Sequence, residues 1–231
     1  MFEGIEFGPY FIPFIILLVV NFIIVSFNLI LGKGATFGVN FKLFVVTKLL
    51  IVPSAFFVAT QLGKEIDYKI TLFAVFTWLG DACLISRKFS INAIGAACFA
   101  LGHLLLNIYF HIHWLQVPKK DLLIILPLPI IFLLIFVPHF RFQKIRDYFA
   151  SCYFCLLLYN CACASARIYT YPITHPSYLM CLFGYIFFVI SDSILVAYEM
   201  GMGSKKPHRF GVLSTYYIAQ TLIISGSVLA L

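Results

Sequence analysis

Long apolar segments, separated by short stretches that contain charged residues, glycine or proline, run through the whole chain. Most are close to the roughly 20 residues that a helix needs to cross the hydrocarbon core of a bilayer. The pattern predicts about eight transmembrane helices, over residues 9–31, 41–62, 70–86, 91–110, 122–137, 148–168, 177–198 and 210–231.

The composition leads to the same fold class. Of the 231 residues, 62% are hydrophobic and 11% are charged, and the mean hydropathy is +1.01. A water-soluble domain could not cover that much apolar surface with polar side chains. Because about eight spans leave only short loops, we expect one all-α domain over residues 1–231: a polytopic membrane helical bundle without a soluble domain.

The net charge of +7 reflects basic residues in the loops between apolar segments, which indicates membrane topology and not nucleic-acid binding. With the N-terminus outside the cytosol, the odd-numbered loops contain ten Lys and Arg residues and the even-numbered loops contain five. Basic residues are enriched in cytoplasmic loops. The bias therefore predicts that both termini lie on the non-cytosolic side.

Five polar or charged side chains interrupt the apolar segments: Asp81, Asp192, Lys48, His103 and Gln220. An aspartate at the centre of a membrane helix costs roughly 2.5–3.5 kcal/mol on insertion scales, so such groups usually face the interior of the bundle and mark a site. Together the five groups predict a polar cavity.

The local spacing adds detail to this cavity. The predicted topology places Lys48 and Asp81 at similar depth, where Lys48 is either a cation of the cavity or a side chain that extends to the interface. Pro53, which has no N–H, frees a backbone carbonyl for another polar partner. Spacings of three and four place Tyr216, Tyr217 and Gln220 on one helix face, which we expect to look into the bundle.

The cysteines and histidines give little support to a metal site. All seven cysteines lie within predicted spans, and those at 152, 155, 161 and 163 follow one another in a continuous apolar helix without a histidine. His111 and His113 lie at the end of a span, beside Trp114, where interfacial residues are expected. We expect no metal and no other cofactor.

Several short motifs follow one another within the predicted spans: Lys48 with Pro53, Gly80-Asp81-Ala82-Cys83-Leu84, Gly102-His103, Ser191-Asp192-Ser193 and Tyr216-Tyr217-Ile218-Ala219-Gln220. In their order and in their placement, these motifs resemble those of the YhhN-like lysoplasmalogenase family of multi-span membrane proteins. Leu106 departs from the pattern, since family members often carry a tyrosine three residues after the histidine.

The resemblance implies hydrolysis of the vinyl ether bond of a lysoplasmalogen to a fatty aldehyde and a glycerophospho-ethanolamine or glycerophosphocholine. It also implies that Asp81 and Asp192 are catalytic. A vinyl ether is hydrolysed by protonation of its distal alkene carbon and capture of the resulting cation by water, so one carboxyl acts as acid while the other, ionised, stabilises the cation and activates water. The sequence leaves open which aspartate takes which role.

The other polar groups of the motifs are candidates for substrate binding. Lys48 is a candidate for keeping the ionised carboxylate charged, and the remaining members are candidates for positioning the water or the head group. The predicted partners are a lysophospholipid with a vinyl ether chain and membrane lipids, in the endoplasmic reticulum; the oligomeric state stays open. The predicted substrate-binding residues are Lys48, His103, Ser191, Tyr217 and Gln220.

Three other functions use similar features. Buried acids and a lysine also build the ion pathways of transporters and channels, although no internal repeat relates the halves of this chain. A zinc-dependent membrane hydrolase would need several histidines within spans, and only His103 lies well inside one. A lipid-binding protein without turnover would keep the same polar cavity.

Overall fold

The computed structural model describes residues 11–30, 39–61, 65–86, 88–110, 145–167, 172–199 and 208–230. The predicted fifth span, residues 122–137, lies outside the described residues, as do His111 and His113. Most of the loops that carry the basic residues are outside them as well, so the orientation in the membrane stays a prediction.

The described residues form seven helices and no other long element, which confirms the all-α class. The helix bounds follow the apolar segments to within about three residues, because apolar length is the dominant signal for such helices. The helices are α1 (Phe11–Ile30), α2 (Val39–Thr60), α3 (Tyr68–Leu84), α4 (Phe89–Phe110), α5 (Ile145–Ala166), α6 (Pro176–Glu199) and α7 (His208–Val228).

Three stretches of these helices are long and apolar enough to cross a membrane, namely Lys42–Thr60 in α2, Phe89–Phe110 in α4 and Pro176–Tyr198 in α6. The protein is therefore a multi-pass membrane protein. The larger number of about eight spans stays a prediction. One reason is that α3, with 17 residues, rises only about 26 Å, slightly less than the roughly 30 Å of a bilayer core.

The distribution of side chains is that of a membrane bundle. Large apolar side chains such as Ile16, Val46 and Ile108 are more than half exposed on the outer faces of the helices, whereas polar residues such as His103 and Gln220 are completely buried. In lipid this arrangement is favourable, because apolar side chains face the hydrocarbon and polar groups find partners inside.

Close contacts join the helices in pairs. α3 packs on α4 and α6 packs on α7, while α2 contacts both α3 and α7. A Cβ atom on Gly80 would lie 2.6 Å from the Phe99 ring, and one on Gly184 would lie 3.0 Å from the backbone nitrogen of Ile223. Both glycines therefore permit the short helix separations that small residues provide in membrane bundles.

Pro53 joins α2 to α3 through the carbonyl that it frees. In a regular helix the N–H of residue 53 would donate to the carbonyl of Leu49, and proline has no N–H. The indole Nε1–H of Trp78 donates to that carbonyl instead, at 2.8 Å. The sequence-based expectation of a freed carbonyl with a polar partner is thus confirmed.

Candidate functional site

Asp81 lies at the meeting point of three helices. Its Oδ1 is 3.3 Å from the Lys48 Nζ of α2, and its Oδ2 accepts a hydrogen bond of 2.7 Å from the Tyr216 hydroxyl of α7. Asp81 is only 2% exposed. Each carboxylate oxygen therefore has a defined partner, and one of these partners is a cation, which is what a buried ionised carboxylate requires.

Tyr216 connects Asp81 to further groups of the interior. Its hydroxyl oxygen accepts a hydrogen bond of 3.2 Å from Gln220 Nε2, one turn further along α7. Its ring packs edge-on against Phe99 at 6.0 Å and against Phe188 at 5.8 Å between centroids. The Gln220 amide thus holds the Tyr216 hydroxyl, and the two aromatic rings hold the Tyr216 ring.

Asp192 of α6 has a different environment. Its Oδ2 accepts a hydrogen bond of 2.7 Å from the Tyr153 hydroxyl of α5, and it is 8% exposed. Among the residues that the structure describes, no lysine or arginine forms an ion pair with it. The adjacent Ser191 hydroxyl donates to the Val212 carbonyl of α7 at 3.0 Å, which ties this turn of α6 to α7.

The two carboxyl groups lie in the same part of the interior, since the ring of Phe188, one helical turn before Asp192, packs against the ring of Tyr216, whose hydroxyl donates to Asp81. Tyr153 donates to Asp192, whereas Tyr216 donates to Asp81. The site therefore combines two buried acids with unequal partners, one beside a cation and one beside a neutral hydroxyl. This inequality is the arrangement in which one carboxyl stays ionised while the other holds a proton.

His103 lies among aromatic rings in the same interior. Its ring packs against Phe188 at 4.7 Å and against Phe73 at 5.3 Å between centroids, and its Nδ1 is 3.5 Å from the Tyr185 hydroxyl. Neither Nε2 of His103 nor Oε1 of Gln220 has a hydrogen-bond partner within the described part of the chain. Both buried atoms are therefore able to bind a water molecule or a polar group of a substrate.

Three of the seven predicted site residues form one connected set, whereas Tyr217 and Ser191 have other partners. Lys48, Asp81 and Gln220 are joined directly or through Tyr216. The Tyr217 hydroxyl instead accepts a hydrogen bond of 2.8 Å from Asn21 of α1, and its ring lies next to that of Tyr216. Ser191 contacts a backbone carbonyl, so in this structure it acts between helices; its role towards a substrate stays a prediction.

Two tyrosines of the site, Tyr153 and Tyr216, are not among the catalytic or substrate-binding residues that the sequence predicts. Tyr216 lies in the same motif as Tyr217, and neighbouring residues on a helix point about 100° apart, so only the packing of α7 decides which one faces Asp81. Tyr153 stands between two cysteines of an apolar segment. A buried tyrosine hydroxyl usually has a partner, and this is the one signal that could have identified Tyr153 in advance.

Within the described ranges, no group of three or more histidine, cysteine, aspartate or glutamate side chains is arranged to hold a metal ion. The expectation of metal-free chemistry stays a prediction.

Comparison with known proteins gives one result. The family model described as YhhN family matches residues 41–227, a range that contains both aspartates and all five predicted substrate-binding residues. No curated protein and no solved structure matches the chain. Since the matched range covers most of the 231 residues, the chain belongs to the YhhN family.

Proposed function

We propose that this protein is a lysoplasmalogenase, which hydrolyses the vinyl ether bond of a 1-alkenyl-lysophospholipid to a fatty aldehyde and a glycerophospho-ethanolamine or glycerophosphocholine. The YhhN family includes lysoplasmalogenases. The observation that carries the proposal is the pair of buried carboxyl groups with unequal partners, Asp81 beside Lys48 and Asp192 beside Tyr153.

We assign the roles of the two aspartates from their partners. Asp81, with a cation at one oxygen and a hydroxyl donor at the other, is the ionised member. Asp192 is the protonated member: Tyr153 donates to its Oδ2, and its other oxygen is then the place for the proton. A carboxyl group that is removed from water and from cations retains its proton more readily than one that is paired with a lysine.

The first step is proton transfer to carbon. Asp192 gives its proton to the distal alkene carbon, whose π electrons form the new C–H bond, and the carbon attached to oxygen becomes an oxocarbenium ion. The carboxylate of Asp81 stabilises this cation through the low-dielectric interior. General acid catalysis of this kind contributes roughly 10²–10⁴-fold to the rate.

Water then completes the reaction. The oxygen of a water molecule bonds to the cationic carbon while Asp81 takes a proton from that water, and the product is a hemiacetal. In the collapse, Asp81 returns that proton to the leaving glycerol oxygen, and the hemiacetal hydroxyl gives its proton to Asp192. The products are an aldehyde and an alcohol, and both carboxyl groups are back in their starting states.

The remaining predicted residues bind and orient the reactants. Nε2 of His103 and Oε1 of Gln220 are among the buried polar atoms without a hydrogen-bond partner in the described part of the chain, and we assign them to the water or to the glycerol hydroxyl of the substrate. Lys48 keeps Asp81 ionised, and its positive charge also attracts the phosphate of the substrate. We propose the endoplasmic reticulum as the membrane in which this occurs.

The first test is aldehyde release from 1-alkenyl-lysophosphatidylethanolamine by the purified full-length protein in lipid nanodiscs. We expect stoichiometric formation of the aldehyde and glycerophosphoethanolamine, and the same rate after treatment with a chelator. The 1-acyl analogue, which has no vinyl ether, should release neither aldehyde nor fatty acid. A folded protein that forms no aldehyde from the alkenyl lipid would contradict the proposed function.

A further inference from the structure

A groove of about 240 Å³ lies between α2 and α3 on the outer surface of the bundle. Its walls are apolar or aromatic apart from the Thr71 hydroxyl. The rim opens to the surroundings, since Phe57 is 56% and Val75 is 43% exposed. The lining includes Pro53, Phe56 and Phe57 of α2, and Thr71, Val75 and Trp78 of α3.

The groove ends beside the Asp81 site. Trp78, at its inner end, precedes Asp81 by one helical turn and donates its indole hydrogen bond to the carbonyl of Leu49, the neighbour of Lys48. From there the groove runs along both helices as far as Thr71, which is roughly 15 Å from Asp81 at about 1.5 Å of rise per residue. One end is therefore at a charged site and the other lies among lipid-facing side chains.

We propose that this groove binds the single hydrocarbon chain of the lysophospholipid and directs its vinyl ether to the aspartates. This inference rests on the proposed function. The groove is smaller than the roughly 300–1,000 Å³ of typical ligand pockets, which suits one chain with a side open to lipid. The occupant carries a negative phosphate at the end of its chain, and the cation Lys48 lies next to the inner end of the groove.

The shape of the groove follows from Pro53 and Trp78. Without the N–H of a normal residue at position 53, the Leu49 carbonyl is available, and the indole N–H of Trp78 donates to it. Trp78 is itself 37% exposed. Its ring lines the end of the groove that is nearest to Asp81, so we expect the ether bond of the substrate to lie beside it.

The test uses a 1-alkenyl-lysophosphatidylethanolamine with a diazirine near the end of its chain, added to the full-length protein in nanodiscs. After illumination, we expect mass spectrometry to find the label in the groove segments 52–57 and 71–78. Val75→Trp, which fills the groove from its lipid-facing rim, should lower both this labelling and the kcat/KM for long-chain substrate about tenfold. It should leave a short-chain alkenyl substrate within about twofold of wild type.

Val19→Trp is the matched control, because Val19 is a valine of α1 that is 48% exposed and does not line the groove. It should behave as wild type in both measurements. Labelling outside the groove, or equal labelling of wild type and Val75→Trp, would overturn the inference. Labelling of the groove without aldehyde release would support the chain-binding site while contradicting the proposed hydrolysis, so the two failures are distinguishable.

Discussion

Replacement of Asp192 by asparagine should lower kcat by roughly 10²–10⁴-fold, the contribution of a general acid, while the protein stays folded. In the wild-type protein the Tyr153 hydroxyl donates to Asp192 at 2.7 Å. The asparagine amide has the shape of the carboxyl group, and its Oδ1 can still accept this hydrogen bond. It has no acidic proton to transfer to carbon. The measurement is the rate of aldehyde release at saturating substrate, beside the melting temperature of each variant.

Tyr153→Phe is the matched comparison for this prediction. It removes the hydroxyl that holds Asp192 and leaves the acid in place, so we expect a smaller loss of kcat than for Asp192→Asn. A variant Asp192→Asn that melts like wild type and keeps the wild-type kcat would rule out Asp192 as the proton donor.

Replacement of Lys48 by methionine should destabilise the protein by about 3–5 kcal/mol, the usual effect of removing one partner of a buried ion pair. The variant leaves the Asp81 carboxylate, which is 2% exposed, without its cation. The measurement is the free energy of unfolding from denaturant titration in mild detergent. Aldehyde release should also be largely lost, because Asp81 is then protonated or mispositioned.

The chain offers a matched control in Lys69, whose Nζ is likewise 3.3 Å from an aspartate oxygen, that of Asp67. This second pair is more exposed, and such pairs contribute roughly 0–1 kcal/mol, so Lys69→Met should change stability little. The double variant Lys48→Met with Asp81→Asn should recover most of the lost stability and none of the activity. Equal destabilisation by the two lysine variants would contradict an ion pair at the centre of the site.

The helices and the polar residues of the interior could be predicted from the sequence. Apolar segments of membrane length locate helices almost by themselves, because in lipid the backbone must satisfy its own hydrogen bonds. Asp81, His103 and Gln220 were recognisable because each interrupts such a segment. Lys48 and Asp81 were expected in one pocket from their similar depth, and the structure joins them at 3.3 Å.

The hydrogen-bond partners of the two aspartates could not be predicted from the sequence in the same way. Tyr216 is 135 positions from Asp81, and Tyr153 is 39 positions from Asp192. Such contacts depend on the order and rotation of the helices around the bundle, which hydrophobicity alone leaves undetermined. The choice between Tyr216 and Tyr217 is an example, since both are buried and only one reaches Asp81 while the other meets Asn21.

The most direct test of the two-carboxylate mechanism is hydrolysis of the alkenyl lysophospholipid in H₂¹⁸O, with immediate reduction of the aldehyde to the alcohol and mass spectrometry of both products. The mechanism predicts that the water oxygen appears in the alcohol and not in glycerophosphoethanolamine, because water bonds to the vinyl carbon, and that both products are lost in Asp192→Asn. Heavy oxygen in glycerophosphoethanolamine would show that the glycerol carbon–oxygen bond is broken without protonation of the alkene and would contradict the mechanism.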